Sequence, residues 1–60
     1  MKSSELNRIA VRAGWTFLYQ DKSSHRFYEK EGKIVCIPFH GSKEVPTGTC
    51  NKILKALGLK

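Results

Sequence analysis

Two runs of helical apolar spacing stand at opposite ends of this 60-residue chain, and the stretch between them reads as strand. Leu6, Ile9, Ala10 and Ala13 fall at i, i+3, i+4 and i+7, and so do Cys50, Ile53, Leu54 and Leu57. That spacing gathers each set on one stripe of a helix, and the stripe has to be buried against something. A chain of this size buries only about 60% of the surface its unfolded form exposes. It has one core to offer, so both stripes must share it, and the expectation is a single domain over residues 1–60.

The middle supplies the surface they share. Trp15–Gln20 (WTFLYQ) is aromatic and reads as a strand. Asp21–Ser24 (DKSS) is a polar break, and His25–Glu29 (HRFYE) resumes strand character. Lys30, Glu31 and Gly32 form a short hairpin turn. Lys33–Phe39 (KIVCIPF) is the strongest strand, with Pro38 confined to its end or to a sheet edge because it has no N–H to donate. His40–Pro46 reads as a loop. Ser3 or Ser4, and Thr47 or Thr49, are placed to cap the helices, and Gly14 and Gly58 stand just past their ends. The order is α-β-β-β-α. It predicts an α+β two-layer sandwich, a three-stranded antiparallel sheet with two helices on one face.

Burial follows from alternation. Val35, Ile37 and Phe39 share one side of the third strand, and Val35 and Ile37 are assigned inward. Trp15 and at least one of Phe17 and Tyr19 are expected in the core. Cys36 and Cys50 read as two reduced core thiols rather than a disulfide, and no CxxC or CxxH spacing suggests zinc.

Eleven Lys and Arg against five Asp and Glu leave a formal charge of +6. Such a balance favours a polyanionic partner: nucleic acid, an acidic protein or an anionic membrane surface. The bland alternative is a basic domain with no such partner. No apolar run approaches the roughly 18 residues that would span a membrane, and no charged-then-apolar leader opens the chain. A cytoplasmic protein without a membrane partner is expected.

Phosphate-cradling glycine loops and clustered carboxylates for a two-metal nuclease are both missing. Any catalysis is therefore expected to need no metal and no cofactor. His25 is the candidate acid/base group, because imidazole as a class takes and returns a proton near neutral pH. Lys22 and Arg26 flank it as candidate phosphate ligands, and Ser23 and Ser24 add hydroxyls that bind or order the loop. Lys33 and His40 are further candidates. His40 reads either as a loop-ordering residue beside Phe39 or as a second acid/base or phosphate ligand. For His25 the plain alternative is a polar surface residue among cations. For the strand aromatics it is a core rather than a base-stacking platform.

These fragments, in their order, resemble the HicA-type toxins (the YcfA-like family), small mRNA interferases of toxin–antitoxin pairs. Lys2-Ser3-Ser4-Glu5-Leu6 is similar to the family's opening, and Ala13-Gly14-Trp15 to its helix end. Ser23-Ser24-His25 stands where the family has Gly-Ser-His. Pro38-Phe39-His40-Gly41, Gly48-Thr49, Ile53-Leu54-Lys55 and Leu57-Gly58-Leu59 resemble its later pieces. The resemblance implies a double-stranded-RNA-binding-domain-like fold and endonucleolytic cleavage of mRNA. It makes the histidine at position 25 essential, and it implies a cognate HicB-type antitoxin that covers the active site. The free toxin is expected to be monomeric. The family's glycine is replaced here by Ser23, or by Lys22 in a register one residue earlier. A non-catalytic RNA-binding module of the same fold is the alternative reading, and a domain that only meets an acidic protein is a third.

Overall fold

The computed structural model describes residues 1–41 and 43–60; of the loop expected over 40–46, Ser42 lies outside the described residues. Helix α1 (Ser3–Arg12) is followed by strands β1 (Thr16–Gln20), β2 (His25–Lys30) and β3 (Lys33–Pro38), then by helix α2 (Thr47–Ala56). The sheet is an antiparallel meander in the order β1-β2-β3. This is the expected α+β architecture.

Both helices turn their stripes to one side of the sheet. Leu6 and Ala10 of α1 and Cys50, Ile53 and Leu57 at α2 form one core with Tyr28, Val35 and Ile37 of the sheet, Trp15 at the entrance to β1, and Val45. Val35 and Ile37 point inward as alternation requires. Ile34 and Cys36 point to the opposite face and are exposed. Cys36 is therefore not a core thiol; only Cys50 is buried, and both are free. The pleat decides this, because successive side chains alternate faces and Val35 and Ile37 already occupy the inner one.

The expectation that Phe17 or Tyr19 is buried is also overturned. All five residues of β1 are exposed, Phe17 at 47% and Tyr19 at 55%. Register explains the difference. Tyr28 lies opposite both Phe17 and Val35, on the central strand beneath the helices, and is 1% exposed. β1 is an edge strand, and its register shifts between Phe17 and Tyr19, so Leu18 is an extra residue against β2.

The caps differ from the sequence reading as well. Lys2 and Pro46 occupy the N-cap positions, and no serine or threonine side chain caps either helix. The first amides of α1 bond instead to loop carbonyls: Ser3 N–H to Lys43 O and Ser4 N–H to Gly41 O, each at 2.9 Å. With its backbone so satisfied, Ser3 is free to use its hydroxyl elsewhere. Its Oγ donates to Pro38 O at 2.5 Å and accepts the His40 N–H at 3.0 Å.

The helix ends match expectation. Trp15 N–H reaches Ala10 O and Gly14 N–H reaches Val11 O, the paired bonds of a Schellman ending. Gly14 has φ +93°, where a side chain is strained. The β2–β3 turn is tighter than expected: Lys30 pairs with Lys33, leaving only Glu31 and Gly32, both at positive φ, as in a type I′ hairpin.

Candidate active site

The turn between β1 and β2 is organised by one side chain. Asp21 Oδ1 accepts the backbone N–H of Ser23 at 2.9 Å and that of His25 at 2.8 Å. Asp21 N–H donates to His25 O at 3.0 Å, and Ser24 N–H donates to Asp21 O at 3.2 Å. An aspartate that bonds the backbone two residues on is a common turn former, because its short carboxylate mimics a backbone carbonyl. His25 follows as the first residue of β2, with its side chain 45% exposed and Nδ1 3.3 Å from Asp21 Oδ2. The Asp21 carboxyl is held below the usual carboxylate range, mainly by the His25 backbone N–H, with the His25 side chain and the Ser23 N–H adding to it against the effect of burial.

Ser24 carries the backbone strain of this turn, at φ +64°. Its carbonyl accepts the Phe39 N–H at 2.8 Å, which draws the end of β3 against the turn. The left-handed position is Ser24, not Ser23. Neither Ser23 nor Lys22, the two positions that can stand for the family's glycine, therefore meets a left-handed backbone.

The expected site residues divide into groups. Lys22 and Ser23 are exposed in the turn itself, beside His25. His40 is exposed two residues past Pro38, the partner of His25, and so lies at the same end of the sheet. Its N–H is anchored on Ser3, so its backbone serves to order the loop while its ring stays open to solvent.

Arg26 and Lys33 are placed elsewhere. Arg26 pairs with Ile37 and so belongs to the face that carries Tyr28, opposite to His25 and Phe27. Its guanidinium stacks 3.7 Å from the centroid of Phe39 and 5.4 Å from that of Phe17, and its Nε donates to Gln20 Oε1 at 2.9 Å. Lys33 lies at the far end of the hairpin, five pairing positions from His25, or roughly 17 Å at strand spacing. It lines a shallow groove there with Trp15, Lys30 and Leu57.

Two contributors escaped the sequence reading. Asp21 lies in the polar break, and the available signal is the tendency of aspartate to bond the backbone two residues on and so form a turn. Phe39 is the ring on which Arg26 rests, a contact that alternation along β3 does not reveal. On the open face Tyr19 and Phe27 stack at 4.7 Å between centroids, two residues along β2 from His25. Among the described residues, no three His, Cys, Asp or Glu side chains converge as they would to hold a metal ion.

A three-stranded meander with both helices on one face and a charge of +6 define a small basic α+β domain with the fold of double-stranded-RNA-binding domains, and it carries a partly exposed histidine in a hydrogen-bonded turn. Comparison with known proteins narrows that class. The model of the HicA toxin of bacterial toxin–antitoxin systems matches residues 3–59. A protein of Pseudomonas fluorescens (strain Pf0-1) named as a probable mRNA interferase HicA is 40% identical over 60 residues, spanning all of this chain and 98% of that relative. The chain belongs to the HicA toxin family.

Proposed function

We propose that this protein is the toxin of a toxin–antitoxin pair and cleaves mRNA endonucleolytically without a metal, with His25 as the general base. The observation that carries this reading is the His25 imidazole itself, exposed to solvent yet fixed in a turn bonded at both ends. Nδ1 faces Asp21, so Nε2 is the nitrogen left for substrate.

The reaction follows from what one base can do. Nε2 removes the proton from a ribose 2′-hydroxyl, and the 2′-oxygen attacks the adjacent phosphorus. The bond from phosphorus to the 5′-oxygen breaks, and solvent protonates the departing oxygen. The products are a 2′,3′-cyclic phosphate and a 5′-hydroxyl. A positioned base accelerates such a step by about 10²–10⁴-fold. Lys22, exposed in the same turn, is the cation on which the developing phosphorane charge can rest, since Arg26 is turned to the other face. His40 shares that end of the sheet and is the candidate for a second role. Arg26 braces Phe39 and the strand end from the other face, and Lys33 belongs to a more distant contact with the RNA backbone.

The test is inducible expression of the wild type and of His25→Ala, with growth and mRNA integrity followed together. Growth arrest and mRNA fragmentation are expected from the wild type alone. Undiminished cleavage by His25→Ala would overturn the assignment, and loss of cleavage in EDTA would overturn the metal-free route. Arrest of translation follows from loss of the message.

An antitoxin of the HicB type is the proposed protein partner. The toxin's positive charge calls for an acidic surface, and occupation of the His25 end would inhibit by exclusion. His25→Ala is expected to co-purify with the adjacent gene's product as the wild type does. The free toxin is proposed to be a monomer.

A further inference from the structure

Resting on the reading of His25 as the base, we propose that Asp21 is a positioning residue that selects the working tautomer of that imidazole. The carboxylate has two separable contacts. Oδ1 holds the turn, through the N–H groups of Ser23 and His25. Oδ2 takes no part in the turn and lies 3.3 Å from His25 Nδ1. A turn needs only the first of these.

The second contact has a chemical consequence. An ionised carboxylate is an acceptor only. A neutral imidazole facing it carries its proton on Nδ1, and Nε2 is left with a bare lone pair directed away from the turn. That nitrogen is the one able to accept a proton from a ribose hydroxyl. Without an acceptor at Nδ1 the proton distributes between the two nitrogens and the ring is free to turn. The bond is long, as such bonds often are before substrate closes on them. The backbone that carries the ring is held beside the carboxylate, since the His25 N–H and C=O are both bonded to Asp21.

Asp21→Asn separates the two functions. Asparagine keeps an Oδ1 to accept the N–H groups of Ser23 and His25, so the turn stands. Its Nδ2 takes the place of Oδ2 and donates to Nδ1, which moves the proton of the neutral ring to Nε2. Three measurements then decide: ¹⁵N shifts of the His25 ring, affinity for a labelled mRNA transcript on a gel, and the rate of cleavage of that transcript. The expected result is a ring protonated on Nδ1 in the wild type and on Nε2 in Asp21→Asn. Turn amide shifts and affinity should be unchanged, with cleavage slowed by about 10²-fold.

Wild-type cleavage by Asp21→Asn, alongside inactive His25→Ala, would overturn the role of Asp21 and leave the proposed function standing. An unchanged ring tautomer in Asp21→Asn would overturn it as well. A failure of His25 itself as the base appears in a different variant, as full cleavage by His25→Ala.

Discussion

The Tyr28 hydroxyl donates to Asn7 Oδ1 at 2.7 Å inside the core, joining the middle of the central strand to the inner face of α1. Asn7 completes the link with its Nδ2, which donates to Ser3 O at 2.8 Å and to Pro38 O at 3.2 Å. Ser3, Asn7, Tyr28 and Pro38 thus form one buried polar network at the end of the sheet that carries His25.

Such a network costs most when half of it is removed. Tyr28→Phe leaves a buried Asn7 oxygen without a donor and is expected to cost about 1–3 kcal/mol. Asn7→Ala strands the Tyr28 hydroxyl and is expected to cost a similar amount. Because each is the other's hydrogen-bond partner, the double variant should be less destabilised than the sum, by about 1 kcal/mol. Urea denaturation of the four proteins checks this, and strict additivity would contradict the coupling.

Position in the sheet, rather than residue type, sets the cost of losing apolar groups. Ile37 is fully buried between the helices and the sheet, so Ile37→Ala should cost about 2–5 kcal/mol. Tyr19 is a larger side chain but is exposed on the uncovered face and stacks only on Phe27. Tyr19→Thr should cost no more than about 1 kcal/mol. Thermal unfolding of the two variants gives the ordering directly.

Gly14 closes α1 at φ +93°. An added Cβ meets only the end of the Lys30 side chain, at 3.6 Å, so space is not the obstacle. The left-handed backbone is. Gly14→Ala is expected to lower stability by about 1–2 kcal/mol. The same change at Gly48, inside α2 and with nothing within 4 Å, should be neutral or stabilising.

The depressed Asp21 carboxyl links the turn to pH. A group whose folded pKa lies below its unfolded value adds stability that is present above the unfolded value. That contribution is lost as pH falls through the folded one. The ordinary aspartate value is about 3.9. Near pH 5, where Asp21 is ionised in both the folded and unfolded states, the difference in stability between wild type and Asp21→Asn should be fully present. Below about pH 4 it should shrink as Asp21 is protonated. Urea midpoints taken across that range measure it, and a difference that grows in acid would contradict the assignment.

The element order, the helix faces, the glycines that close the helices and the inward pair Val35 and Ile37 were all readable from periodicity and punctuation. Those features are local, or repeat at the period of one element. What could not be read depended on which strand sits in the middle. Tyr28 and Phe17 look alike as strand aromatics, yet the pairing of Tyr28 with strands on both sides buries it while Phe17 is left at an edge. The same holds at the site. His25 and the turn around it were visible as composition. The separation of Arg26 from His25 onto opposite faces needed the pleat to be placed, and the distance of Lys33 needed the register. Asp21 was legible in principle, through its spacing to Ser23, but its second contact exists only once the turn has folded.

The hairpin made by β1 and β2 has an uneven footing. β2 is braced on both sides, whereas β1 is an irregular margin with no residue under cover. Such a margin is the first part of a small domain to peel away in brief excursions from the folded state. The turn that holds His25 hangs between the two. Loosening of β1 would therefore slacken the imidazole's mooring long before the core melts, so the toxin's activity should fade with heat well below its unfolding temperature.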